Sequence, residues 1–129
     1  MSKAVNAYVE RCKEIMGLSH WEVKVSDLQP DDDAWAEIEV SDNLYQATIR
    51  FSKDLWKEKP EEIRRVVAHE LIHIHQAGVE RMVDALEKPL GTSAFEVVNH
   101  IWDVESERCA DSLSTVVAKV LPMPGSGVK

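Results

Sequence analysis

The chain reads as an α+β protein: an N-terminal helix, a three-stranded and mainly antiparallel sheet, and two later helices that cover one face of that sheet. Three observations carry this reading. Apolar residues recur every three or four positions over residues 3–16, three runs between Trp21 and Phe51 alternate apolar with polar residues, and the helical period returns from Pro60 onward.

The first helix places Val5, Tyr8, Val9, Cys12, Ile15 and Met16 along one stripe, and Gly17 ends it. Trp21, Val23 and Val25 then alternate with Glu22 and Lys24, and Ala34, Ala36, Ile38 and Val40 alternate with Trp35, Glu37 and Glu39. Pro30 and Asp31 to Asp33 form a turn between these two strands. A third alternation, Ala47, Ile49 and Phe51 against Gln46, Thr48 and Arg50, follows the polar link Ser41-Asp42-Asn43, so the three runs are expected to form an antiparallel meander. Pro60 followed by Glu61 and Glu62 opens the next helix, because proline at the first helical position gives up no bonded N–H and carboxylates suit the positive helix end. That helix should run into the seventies or eighties. Pro89 and Gly91 interrupt the pattern over residues 88–93, and Thr92 or Ser93 can cap a last helix over about 94–120, with Val97, Val98, Ile101, Leu113, Val116 and Val117 as its apolar positions.

A length of 129 residues suits one domain, assigned to residues 1–120, with residues 121–129 (two prolines, two glycines, no periodicity) as a flexible tail. Hydrophobic residues at 44% and charged residues at 29% are those of an ordinary globular protein. The net charge of -8 and the lack of a basic cluster beyond Arg64-Arg65 argue against nucleic acid as a partner. Charged residues break up the N-terminal stretch and no apolar run reaches membrane-spanning length, so neither an export signal nor a membrane association is expected and the cytoplasm is the expected location. Cys12 and Cys109 are far apart and in no metal or redox spacing, which reads as two reduced thiols.

Residues 69–73 spell His-Glu-Leu-Ile-His inside the helix opened by Pro60. Residues four apart project from one helix face, so both imidazoles can reach a single ion at about 2.0 to 2.1 Å. The residue beside the first histidine, Glu70, then stands next to the ion without binding it and can take a proton from activated water. An open catalytic site needs a third protein ligand. In the stretch VESERCADSL, Glu107 and Asp111 are also four apart, so the glutamate can bind the metal while the aspartate accepts the second N–H of a ligating imidazole.

This order of motifs, HExxH followed by ExxxD with alanine before the aspartate, resembles the gluzincin zinc metallopeptidases, and in size it is similar to small cytoplasmic members such as the ImmA/IrrE-type and minigluzincin-like proteins of bacteria and phages. The resemblance covers about residues 60–115. It implies a reduced zincin fold, one zinc ion held by His69, His73 and Glu107, Glu70 as general base and Asp111 as the partner of a ligating histidine. It further implies hydrolysis of peptide bonds in a peptide or protein substrate by metal-activated water.

Other assignments stay open at this point. Residues 74–106 form a longer spacer than in some gluzincins. Glu105 lies about 200° around the helix from Glu107 and has no counterpart of Asp111. His100 shares the helix face of Glu107; it would be the third ligand of a SprT-like three-histidine site, or a donor that stabilises the transition state from the cleft wall. A metzincin pattern is excluded, since Gln76 and Val79 stand where its glycine and third histidine belong. His75, two residues past His73, is rotated off the metal face, and the four tryptophans read as packing residues. The contrasting functional class is a regulatory or interaction module that keeps the scaffold and the metal with little peptidase activity, and turnover by the zinc-loaded chain discriminates the two.

Overall fold

The computed structural model describes residues 3–31, 33–41 and 44–125. Asp32 of the expected first turn, Asp42 and Asn43 of the second link, and residues 126–129 of the expected tail lie outside these.

Helix α1 (Lys3–Ile15) buries Val5, Tyr8, Val9 and Cys12 as its stripe requires. It ends at Gly17, whose φ of 76° lies in the left-handed region that a side chain disfavours. There Gly17 N donates to Glu14 O at 3.2 Å and Leu18 N to Lys13 O at 3.0 Å, which satisfies carbonyls the helix leaves open. Ile15 turns outward, while Lys13 is buried and its ammonium donates to Trp21 O at 2.8 Å, tying the helix to the strand that follows.

The sheet holds β1 (Glu22–Ser26), β2 (Ala36–Ser41) and β3 (Gln46–Phe51) in the order β1-β3-β2. β2 and β3 pair antiparallel as expected of neighbours in sequence, but β1 pairs with β3 in parallel, so the sheet is mixed and the expected meander is corrected. The physical reason lies in burial. β3 carries the most deeply buried set, Ala47, Ile49 and Phe51, and takes the centre, with Ile49 flanked by Val25 and Ile38. The connection over 27–35 is long enough to cross the end of β3 and start β2 on its far side. The charged outward residues Glu22 and Lys24, and Glu37 and Glu39, thus fall on the two edge strands, where they oppose pairing with other chains.

A 3₁₀ turn at Lys53–Lys57 leads into α2 (Pro60–His75), with Pro60 at its first position and Glu61 and Glu62 in its first turn. This helix buries Ile63, Val66, Val67, Ala68, Leu71, Ile72 and Ile74, and it packs against β2 and α1 on one side and against the last helix on the other. Its end at His75 passes through Gln76 directly into α3 (Ala77–Asp84), followed by the short α4 (Glu87–Leu90) and the long α5 (Thr92–Val117). Gly91, at φ 82°, precedes α5 and no Thr92 or Ser93 side chain caps it.

The expected buried face of α5 is also corrected. Val97, Ile101, Leu113 and Val116 are exposed, and the residues buried against α2 are the small Ser106, Ala110 and Ser114. Small side chains let two helix backbones approach closely, and the serine hydroxyls are satisfied within α5, Ser106 Oγ donating to Asp103 O and Ser114 Oγ to Asp111 O. After α5 the chain stays on the body: Leu121 is buried in the core and Tyr8 donates its hydroxyl proton to Pro122 O at 2.9 Å. Leu121 and Pro122, expected in the tail, are thus held to the body. Among the described residues no helix is long and apolar enough to cross a membrane.

Candidate metal centre

His69 and His73 project from the half-buried side of α2, and Glu107 and Asp111 from the edge of α5 next to its small-residue seam. Close approach of the two helices brings these four side chains together. Asp111 Oδ1 lies 3.0 Å from His69 Nδ1, and Gln76 Oε1 lies 3.1 Å from His73 Nδ1. The Gln76 amide also donates from Nε2 to Ser106 O at 3.2 Å. A carbonyl can only accept, so this second bond fixes which end of the amide faces His73 and makes the facing atom an acceptor. A proton on each Nδ1 would serve these two acceptors and leave the Nε2 lone pairs turned inward.

The inward atoms are close. His73 Nε2 is 3.2 Å from His69 Nε2 and 2.9 Å from Glu107 Oε1, and His69 Nε2 is 3.2 Å from Glu107 Oε2. One ligand atom from each of His69, His73 and Glu107 falls within 4.8 Å of the others, and among the described residues this group can hold a metal ion. Ligands about 2.0 to 2.1 Å from a tetrahedral centre stand about 3.3 Å from one another. The observed separations lie near that edge, the two to Glu107 running to different carboxylate oxygens. Two imidazoles and a carboxylate gathered at one spot are a donor set that fits a divalent ion.

Burial is the main influence that pulls the His73 pKa down; its neighbour His69 adds to it and Glu107 opposes it, and the neutral ring is the form that can bind a metal. Glu70 is 8% exposed and makes no hydrogen bond or ion pair among the described residues. Burial, with the negative charges of Glu107 and Glu37 added, pushes its carboxyl pKa up to about 8. A cation beside it would favour the carboxylate again.

No known protein family, curated protein or solved structure matches this chain.

The centre opens into a cleft of about 950 Å³ between the free edge of β2 (Ala36 to Val40) and helices α2, α3 and α5. Glu70 lines it, together with Gln76, Glu80, Asp84, Trp102 and Asp103. His100 is exposed, does not line the cleft and is not in the metal-ligand cluster. Glu105 points outward and pairs with Arg108 at 3.2 Å. His75 bonds through Nε2 to Met16 O at 2.8 Å, a tie between α2 and the end of α1. Both cysteines are free, Cys12 buried and Cys109 exposed.

Sequence reasoning missed two residues. Gln76 entered it only as a departure from another motif, although the i,i+3 spacing from His73 places it on the same helix face. Trp102 read as packing, and it stands in the cleft wall next to Asp103.

Proposed function

We propose that this chain is a zinc-dependent peptidase in which His69, His73 and Glu107 hold the ion and Glu70 is the general base. The observation that carries this reading is the convergence of His69, His73 and Glu107, with ligand atoms within 4.8 Å of one another, beside a cleft of about 950 Å³. A divalent ion held there supplies Lewis acidity toward a carbonyl oxygen and brings the pKa of water down toward neutrality.

The chain's own residues account for the rest. Asp111 and Gln76 keep the two imidazoles in the tautomer that leaves Nε2 free. Glu70, buried at the cleft wall, takes one proton from the attacking water as the carbon–oxygen bond forms and returns it to the amine nitrogen as the carbon–nitrogen bond breaks. The unpaired edge of β2 beside the centre offers backbone donors and acceptors to an extended chain. Imidazole and carboxylate donors in an open site suit zinc, and other divalent ions can occupy the same groups.

The test is cleavage of a denatured protein pool by the zinc-loaded chain and by its Glu70→Gln variant. Glutamine keeps the shape and cannot accept the proton, so turnover should fall roughly 10² to 10⁴-fold with zinc content unchanged. Equal turnover by the two proteins removes Glu70 from the mechanism. No turnover by the wild type at full zinc occupancy would leave an interaction module that keeps the metal.

A further inference from the structure

The contacts between α2 and α5 run in a fixed register. Gln76 meets Ser106, His73 meets Glu107, and His69 meets both Glu107 and Asp111, so residue numbers fall on α2 as they rise on α5 and the two helices are antiparallel. Beyond α5 the same order continues, with Arg64 Nη1 donating to Leu121 O at 3.4 Å. Four residues before His69, on the same face of α2 and about 6 Å back along the axis, stands Arg65. The register therefore sets Asp111 against the turn that joins His69 to Arg65. The Asp111 side chain is 66% exposed, and apart from His69 it has no hydrogen bond or ion pair among the described residues. Arg65 is half-buried and gripped from its own helix: Nε donates to Glu62 Oε2 at 3.2 Å and Nη2 donates to Glu62 Oε1. Those two hydrogen bonds do most to push the Arg65 pKa above its ordinary value, burial opposes them, and the charge of Asp111 adds to the rise.

We propose that Arg65 is a positioning residue of the metal centre: gripped by Glu62, its guanidinium backs Asp111 and holds that carboxylate against Nδ1 of His69. This rests on the metal-binding part of the reading above. A carboxylate so exposed has many orientations open to it, and a fixed cation behind it removes those that turn away from the imidazole. Arginine suits this task better than lysine, because its planar fork gives Glu62 two nitrogens and still presents a third. Spacing on the two helices then lines up Glu62, Arg65, Asp111 and His69 from the surface to the ion. The position also has two effects of opposite sign. As a bare positive charge Arg65 repels a divalent ion and lowers affinity; as the support of Asp111 it raises affinity. A single substitution tells the two apart.

Zinc affinity of the full chain, read by competition with a chromophoric chelator, is the test. Arg65→Gln should weaken binding about three- to tenfold, less than the roughly 10- to 100-fold that follows loss of a ligating histidine's own partner. Arg65→Lys, which keeps the charge without the fork, should recover part of the loss. In an Asp111→Ala background Arg65→Gln should weaken binding no further, since the group it positions is gone. Unchanged or tighter binding by Arg65→Gln overturns the proposal, and so does an equal loss with and without Asp111. A second measurement needs no metal. Nitrogen-15 chemical shifts of the His69 ring in chelator-treated protein at pH 8 report the share of molecules with the proton on Nδ1, and Arg65→Gln should lower that share. If the wild type takes up no zinc, the metal reading fails, and the positioning role is decided by these shifts alone: a lowered share supports it and an unchanged share removes it.

Discussion

Nε2 of His69 and Nε2 of His73 face each other at 3.2 Å, and each ring meets an acceptor at its Nδ1, Asp111 for one and Gln76 for the other. The arrangement turns both Nε2 atoms toward Glu107. It ties the metal site to the packing of α2 on α5, since one acceptor sits on α5 and the other reaches across to it.

One equivalent of zinc should therefore bind the purified chain, and His69→Ala, His73→Ala and Glu107→Ala should each lose stoichiometric binding in competition with a chromophoric chelator. Glu105→Ala and His100→Ala, at residues outside the cluster, should keep it. Retention of a full equivalent by both histidine variants would show that the ion sits elsewhere.

Gln76 performs two tasks that substitutions can separate. Gln76→Leu removes both bonds and should weaken zinc binding about 10- to 100-fold, the usual cost of losing the partner of a ligating histidine. Gln76→Glu keeps an acceptor for His73 Nδ1 but cannot donate to Ser106 O, so it should recover much of the affinity while leaving α5 less firmly held. The visible absorption spectrum of the cobalt-substituted protein reports the ligand geometry directly. Identical spectra and affinities for wild type and Gln76→Leu would assign Gln76 to helix packing alone.

Most of this centre was legible from spacing. His69, Glu70 and His73 lie on one helix, and Glu107 and Asp111 on another, so the 3.6-residue period already brings each set to a common face. What spacing does not convey is how two distant elements meet. The exposed valines and leucines of α5 outweigh its buried residues in any hydropathy pattern, yet the contact with α2 depends on Ser106, Ala110 and Ser114, which are buried for being small. The parallel pairing of β1 with β3 was hidden for a similar reason: alternation shows which residues face inward and is silent about which strand takes the centre.

That seam can be tested by overfilling it. Ala110 is fully buried where α5 meets α2, and Ala110→Leu should cost about 1 to 3 kcal/mol in chemical denaturation. Pushing α5 away also draws Glu107 and Asp111 from the histidines, so zinc affinity should fall with stability. Val116→Leu, on the exposed side of the same helix, is the control that should change neither. A destabilised Ala110→Leu protein with undiminished zinc affinity would mean that the ligands do not depend on the seam.

Glu70 supplies the pH dependence. Burial first, and then the charges of Glu107 and Glu37, raise its folded-state pKa to about 8 from an ordinary value of 4.5. A group whose pKa is raised on folding is neutral and harmless below its unfolded pKa, and the fold loses that advantage as pH rises through the folded value. The metal-free protein should thus lose stability between about pH 4.5 and pH 8 relative to Glu70→Gln, by up to about 5 kcal/mol. His73, whose pKa is lowered, acts in the opposite sense: its protonation in acid opposes folding below its unfolded pKa of 6.5. It is present in both proteins, so the difference between them isolates Glu70. Zinc should collapse that difference, because a divalent charge beside the carboxylate offsets the burial that neutralised it. Denaturant unfolding at pH 5 and pH 8, with chelator and with zinc, reads all four states. Parallel pH profiles for the two metal-free proteins would mean that Glu70 is already ionised in the fold, and its place as a buried base awaiting a cation would be lost.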